Sequence, residues 1–130
     1  MNIKTRPSTA EDHNFILSTW LKSYQAHGNE FYKPSGKIYF KEHQELIKKK
    51  LDSCKVDIVT TSEDESQIIG YMVHDADCIH YVYIKNLFRN FKIAKKLVSE
   101  STATYYSQHT SYSKRISGSL IYNPYRFFNE

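Results

Sequence analysis

The sequence predicts a single α/β (α+β) domain: a mixed, mostly antiparallel central sheet flanked by helices, in the order β-α-α-β-β-β-α-β-α-β. Three observations point there. Two amphipathic helical stretches precede a group of short β-branched runs, which excludes an all-α or all-β chain. The three central runs are separated only by brief polar turns, the pattern of an antiparallel meander. The chain has 130 residues, 40% of them hydrophobic and 25% charged. That suffices for one packed core and leaves no room for a second domain of ordinary size, so residues 1–130 are read as one domain.

Asn2 to Arg6 alternates as a short strand does, and Pro7 interrupts its ladder. Ser8 followed by Glu11 has the form of a capping box, so the first helix is expected to begin there. Phe15, Ile16, Trp20 and Tyr24 recur at helical spacing and give it one apolar face to about Ala26, before His27-Gly28 ends it. Asn29 to Lys37 holds Pro34 and Gly36 and reads as a loop, a class of segment that often covers sites. A second helix is expected from Ile38 to about Ser53, with Leu46, Ile47 and Leu51 inward and Lys48, Lys49 and Lys50 facing water.

Val56–Thr60, Gln67–Val73 and Cys78–Lys85 are the meander strands, punctuated by the polar turns 62–66 and 75–77. From Ile93 a helix carries Leu97 and Val98 on its apolar side. A strand within Thr104–Thr110, a short irregular helix and a final strand from about Leu120 to Phe127 complete the order. Pro124 would place that last strand at an edge, where it could pair between two subunits as a homodimer.

Eleven Tyr and seven Phe against four Gly mean that rings build much of the core. A net charge of +4 and a pI near 9.0 favour an anionic partner. The only basic run, Lys48 to Lys50, lies inside a helix and reads as a solvated face, which argues against a nucleic-acid interface. Cys54 and Cys78 are isolated and read as reduced thiols, and the histidines lack paired metal spacing, so no metal is expected. No stretch approaches the roughly 20 apolar residues of a membrane span, and Met1 to Pro7 lacks a signal-peptide core. A cytoplasmic protein is the expectation.

The segment Ile79 to Val98 carries the chemistry. A strand passes through a short link containing Arg89 into a helix, and such a junction aims unpaired helix N-terminal amides at one spot that favours negative charge. The segment resembles the acetyl-CoA motif of the GCN5-related N-acetyltransferase (GNAT) family, an aliphatic strand followed by Phe/Tyr-Arg and Arg-x-x-Gly-x-Gly/Ala. Phe88, Arg89, Ile93 and Ala94 match. Lys92 stands where the family usually has its first motif glycine, and Asn90 replaces another frequent glycine, so the motif is degenerate. Arg6-Pro7, Phe15-Ile16, Ile69-Gly70-Tyr71 and the run His80 to Lys85 further resemble small acetyltransferase-like proteins of bacteriophages.

The resemblance implies a GNAT-like sheet and an N-acetyltransferase moving an acetyl group from acetyl-CoA to an amine of a protein or small molecule. Val82, Tyr83, Ile84, Arg89, Asn90, Phe91, Lys92, Ile93 and Ala94 would then hold acetyl-CoA, with Tyr83 and Ile84 pairing with the pantetheine arm through their backbone. His80 would be the general base, since imidazole exchanges protons near neutrality, and Tyr112 would protonate the departing thiolate. The competing reading is a catalytically inactive relative that binds a host protein in the host cytoplasm, prompted by Lys92, Asn90 and the surplus of rings.

Overall fold

A computed structural model describes residues 2–28, 35–110 and 112–128 of the chain. Six strands form one sheet in sequential order, β1 (Ile3–Pro7), β2 (Lys55–Thr61), β3 (Ile68–His74), β4 (Cys78–Ile84), β5 (Tyr105–Tyr106) and β6 (Ile121–Tyr122). The first four pair antiparallel, and β5 and β6 join in parallel. The helices are α1 (His13–His27), α2 (Gly36–Ser53), α3 (Ile93–Glu100), α4 (Ser113–Ile116) and α5 (Tyr125–Phe128). This is the expected mixed, mostly antiparallel α/β architecture, with 3-10 turns added at Ala10–Asp12 and Asn86–Phe91.

Each face of the sheet carries its own apolar cluster. On one side Ile16, Trp20, Leu21 and Tyr24 of α1 and Ile47 and Leu51 of α2 meet Ile58, Tyr71, Val73 and Tyr81. On the other, Ile93 and Leu97 of α3 cover Val59, Ile69, Met72, Ile79 and Ile84. Aromatic residues in the first cluster use their polar tips as well as their rings. The Tyr71 hydroxyl donates to the Ile16 carbonyl at 3.1 Å, the Tyr81 hydroxyl lies 2.5 Å from Ser23 Oγ, and the Trp20 indole donates to Gln108 Oε1 at 2.7 Å. Such bonds add about 1 kcal/mol each when every buried group is satisfied, and they fix how α1 lies on the sheet.

The β3–β4 ladder contains a bulge. Val73 faces Tyr81 but His74 faces Ile79, so one step along β3 matches two along β4 and His80 is the additional residue. Ile79 packs with α3 on one face, whereas His80 reaches Phe127 and Tyr81 stacks on Trp20, both on the other. Two consecutive side chains therefore share a face.

The helix start, the lysine face and the chain's end depart from expectation. The capping box lies one residue later, because Asp12 rather than Glu11 accepts the Thr9 backbone N–H (2.8 Å) and also the Arg6 guanidinium fork (2.9 and 3.1 Å). The second helix begins two residues before Ile38, at Gly36, where Ser35 Oγ accepts the Ile38 N–H. The loop expected over Asn29 to Lys37 lies outside the described residues from 29 to 34. Lys50 does not face water: it is buried, its ammonium donating to the Arg126 carbonyl at 3.0 Å over the Phe127 ring.

The strand expected over Thr104 to Thr110 is only the two residues of β5. The strand expected over Leu120 to Phe127 shrinks to Ile121–Tyr122. Pro124, which lacks an N–H and has a helix-compatible φ, precedes a single helical turn instead. That turn buries Phe127 against Trp20, His43 and His80, which is worth more to a small core than two further edge-strand pairs.

Candidate functional site

Parallel pairing of β4 with β5 stops early. Cys78 and Ile79 pair with Tyr105 and Tyr106, and the Ser107 N–H closes the ladder on the Ile79 carbonyl at 3.0 Å. Beyond it β4 continues to Ile84 while β5 turns away, opening a cavity of about 700 Å³ lined by Tyr81 to Ile84 of β4, Arg89, Lys92, Ala94 and Lys95 at the start of α3, and Thr110, Tyr112, Arg115 and Ile116 from the far side. Ser23, His27 and Asn86 complete the lining. That volume is within the range of small-molecule and cofactor sites.

The bulge decides which backbone groups face this opening. The Lys85 N–H donates to the Ile69 carbonyl at 2.8 Å, so its backbone points to β3. Alternation along β4 then directs Tyr83 and Tyr81 to β3 as well, and turns Val82 and Ile84 toward the gap. The Arg89 side chain agrees: its Nε donates to the outward Ile84 carbonyl at 2.9 Å. The outward backbone edge is thus Val82 and Ile84. Tyr83, expected to offer its backbone, turns that backbone to β3 and packs its ring on Tyr71 and Phe15.

Arg89, Lys92, Lys95 and Arg115 bring four cationic residues to the lining, and no Asp or Glu is among the described lining residues. The Lys96 N–H makes the first intrahelical bond of α3, to the Lys92 carbonyl at 3.2 Å, so the amides of Ile93, Ala94 and Lys95 precede the ladder. Lys92 itself adopts the left-handed conformation (φ 58°, ψ 28°). A side chain here costs energy that glycine would not. The arrangement suits an extended ligand with an anionic end: strand edge for amides, cations and helix terminus for phosphates.

Of the residues singled out from sequence, Val82, Tyr83, Ile84, Arg89, Lys92, Ala94 and Tyr112 line the cavity. Phe91 does not and is 52% exposed, while Ile93 is buried between α3 and the sheet. The side chain of Asn90 lies outside the described residues. His80 is not on the cavity wall: it is 1% exposed, its Nδ1 lies 2.6 Å from Ser107 Oγ and its Nε2 lies 3.0 Å from Asp75 Oδ2. Burial lowers its basicity, opposed by the Asp75 hydrogen bond. With both ring nitrogens engaged, His80 has the surroundings of a structural histidine.

Tyr112 lies on the cavity wall. The His27 ring packs edge-on against it at 4.9 Å between centroids, and the guanidinium groups of Arg89 and Arg115 approach its ring at 5.6 and 6.0 Å. His27, Ser23, Thr110 and Arg115 were not legible as site residues. His27 and Ser23 belong to α1, and only tertiary packing brings that helix to the wall. The thiols lie elsewhere; burial raises Cys78 to about 11, so it is an inert core residue.

No protein-family model matches the chain, and no curated protein sequence matches it. Solved structures do. The solution structure of apo-form YjaB from Escherichia coli superposes with a TM-score of 0.56 at 20% identity, over 76% of this chain and 63% of that one. A chain assigned to the GNAT family of acetyltransferases from Desulfovibrio desulfuricans gives 0.45 at 13% identity, over 75% and 62%. A possible acetyltransferase from Clostridium difficile 630 gives 0.42 at 14%, over 82% and 77%. This chain therefore spans about three fifths of the length of the first two. At 20% identity the likeness to apo-form YjaB is one of fold alone. Among the described residues, no helix is long and apolar enough to cross a membrane.

Proposed function

We propose that the chain is an acyl-CoA-dependent N-acyltransferase whose co-substrate lies in the gap between β4 and β5. The carrying observation is the early end of the β4–β5 ladder, which leaves Val82 and Ile84 facing a cavity that four cationic residues also line. The pantetheine arm, which is rich in amides, would pair with the Val82 and Ile84 backbone as a strand would. Its phosphates would meet Arg89, Lys92 and the first amides of α3. The ion pairs and helix terminus act only on the anionic end, so they fix the register of the thioester along β4.

In this proposal the proton transfers fall to residues on the cavity wall. The acceptor amine must arrive at the thioester carbonyl unprotonated, form the C–N bond and lose a proton as the C–S bond breaks. His27, at the cavity wall in the last turn of α1, takes the base role in place of buried His80. Tyr112 remains the candidate acid for the sulfur, since its ring is held between His27 and Arg89. Holding these groups around one cavity is the positioning that acyl transfer needs.

Calorimetric titration with acetyl-CoA and with CoA, on wild type and Arg89→Ala, tests the reading. Micromolar binding weakened roughly 10–100-fold in the variant is expected for one charge-assisted contact. Turnover of an amine panel that falls in His27→Ala and Tyr112→Phe while affinity holds would assign the roles. No heat of binding at millimolar CoA would refute the proposal and direct attention to protein partners.

A further inference from the structure

A second group of reactive side chains lies apart from the cavity. Cys54 follows the last turn of α2, Asp75 starts the β3–β4 turn and His80 is the bulge residue of β4. Their Sγ, carboxylate oxygen and imidazole nitrogen all lie within 4.8 Å of one another. None of the three lines the cavity between β4 and β5.

We propose that Cys54, Asp75 and His80 form a binding site for a thiophilic divalent cation of the zinc class, with a solvent molecule as the fourth ligand. Thiolate, imidazole and carboxylate together are the donor set that such ions select over magnesium or calcium, which prefer oxygen alone. Ligand atoms in a tetrahedral zinc site are separated by roughly 3.3–3.8 Å, so the cluster closes on an ion with small side-chain movements.

What surrounds the three groups is the stronger argument. A metal-binding imidazole is held by a partner on its other nitrogen, and a ligating carboxylate by a hydrogen bond to its other oxygen. His80 Nδ1 has Ser107 Oγ at 2.6 Å, which leaves Nε2 to face the cluster. Asp75 gives Oδ1 to the Arg126 guanidinium at 3.2 Å, which leaves Oδ2 on the His80 side. Cys54 is half-buried and Asp75 is 31% exposed, so an ion can enter from solvent.

Two cations are close. Arg126 is shared with Asp77 at 2.6 Å, and the Lys50 ammonium is directed to the Arg126 carbonyl. With Cys54 ionised, the two carboxylates and the thiolate exceed these two cations by one negative charge. Without metal, His80 donates from Nε2 to Asp75 and accepts from Ser107. On binding, the proton moves to Nδ1 and is donated to Ser107 Oγ, whose hydroxyl can serve either way. The Cys54 thiol proton passes to solvent as the sulfur–metal bond forms. The ion would tie the end of α2 to the β3–β4 hairpin, a structural role independent of acyl transfer.

Cobalt(II) titration of the whole chain reads the site directly, because thiolate ligation gives a near-ultraviolet charge-transfer band. The band should appear at one equivalent, vanish in Cys54→Ser and persist in Cys78→Ala. Ser107→Ala should weaken binding about 10–100-fold, as loss of a supporting hydrogen bond to a ligand does. Wild-type melting should rise with zinc and not with magnesium. Absence of both the band and the zinc shift in wild type overturns the proposal even if a variant fails to fold, and so does a band that survives in Cys54→Ser.

Discussion

Replacing Lys92 by glycine should stabilise this protein, although lysine is the better helix former. Lys92 sits at φ 58° at the turn into α3, a conformation that costs a side-chain-bearing L-residue about 1–2 kcal/mol. Glycine removes that cost and adds back about 0.5–1 kcal/mol through the greater freedom of the unfolded chain. The net gain is about 0.5–1 kcal/mol, or roughly 2–5 °C in Tm for a chain of this size. Lysine removal also relieves repulsion from Arg89, Lys95 and Arg115 around the same cavity, so Lys92→Ala is the necessary control: it loses the charge but keeps the strained backbone. Thermal melts followed by far-ultraviolet circular dichroism should order the proteins Gly above Ala, with Ala at or slightly above wild type. A Gly variant that melts below wild type, or an Ala variant that gains as much as Gly, would refute the backbone argument.

Gly70→Ala should destabilise by about 1–3 kcal/mol in urea melts, because its Cβ would fall 2.2 Å from the Tyr83 carbonyl oxygen and 2.7 Å from Ile84 Cδ1. The strand edge that faces the cavity would shift with it. Phe127→Ala should cost about 3 kcal/mol or more by removing a ring buried among Trp20, His43 and His80, measurable as a lower denaturation midpoint. Asp12, hydrogen-bonded to the Arg6 guanidinium and to Thr9, is lowered from 3.8 to about 2. Its folded value is the depressed one, so on the order of 2 kcal/mol of stability is present above pH 3.8 and is lost as pH falls through about 2. Acid titration of Asp12→Asn should lack that portion of the decline.

The elements that declared themselves in sequence were those with long uninterrupted patterns. Ile16, Trp20 and Tyr24 fixed the buried face of α1, and the β-branched runs fixed β2 to β4 to within a residue or two. The link through Arg89 was visible because a strand-to-helix junction is a local feature. The bulge was not: one unpaired residue leaves the alternation of Cys78 to Ile84 looking regular, and only the register against Val73 and His74 shows it. The same limit hid the burial of Lys50 and the turn at Pro124, since both answer to Phe127, which is remote in sequence from α2 and β4. The burial of His80 and the place of His27 on the cavity wall were hidden for a related reason. A histidine's role depends on whether its nitrogens are already engaged, and Ser107 and Asp75 cannot be assigned to His80 from spacing alone.

The single residue that β4 gains at His80 works as a frame shift. Upstream of it, the Ile79 carbonyl serves β5; downstream, the even-numbered residues Val82 and Ile84 inherit the outward frame, and the odd-numbered Tyr81 and Tyr83 are bound over to β3. Which backbone groups face the cavity is therefore set by a count of residues rather than by side-chain identity. Deleting His80 would close the bulge and restore simple alternation, leaving Tyr81 and Tyr83 on the aromatic face and Val82 and Ile84 on the other. Deleting a residue between Tyr81 and Ile84 would instead move the side chains beyond it to the wrong face. The strand can absorb many substitutions, but a change in its length only at the bulge.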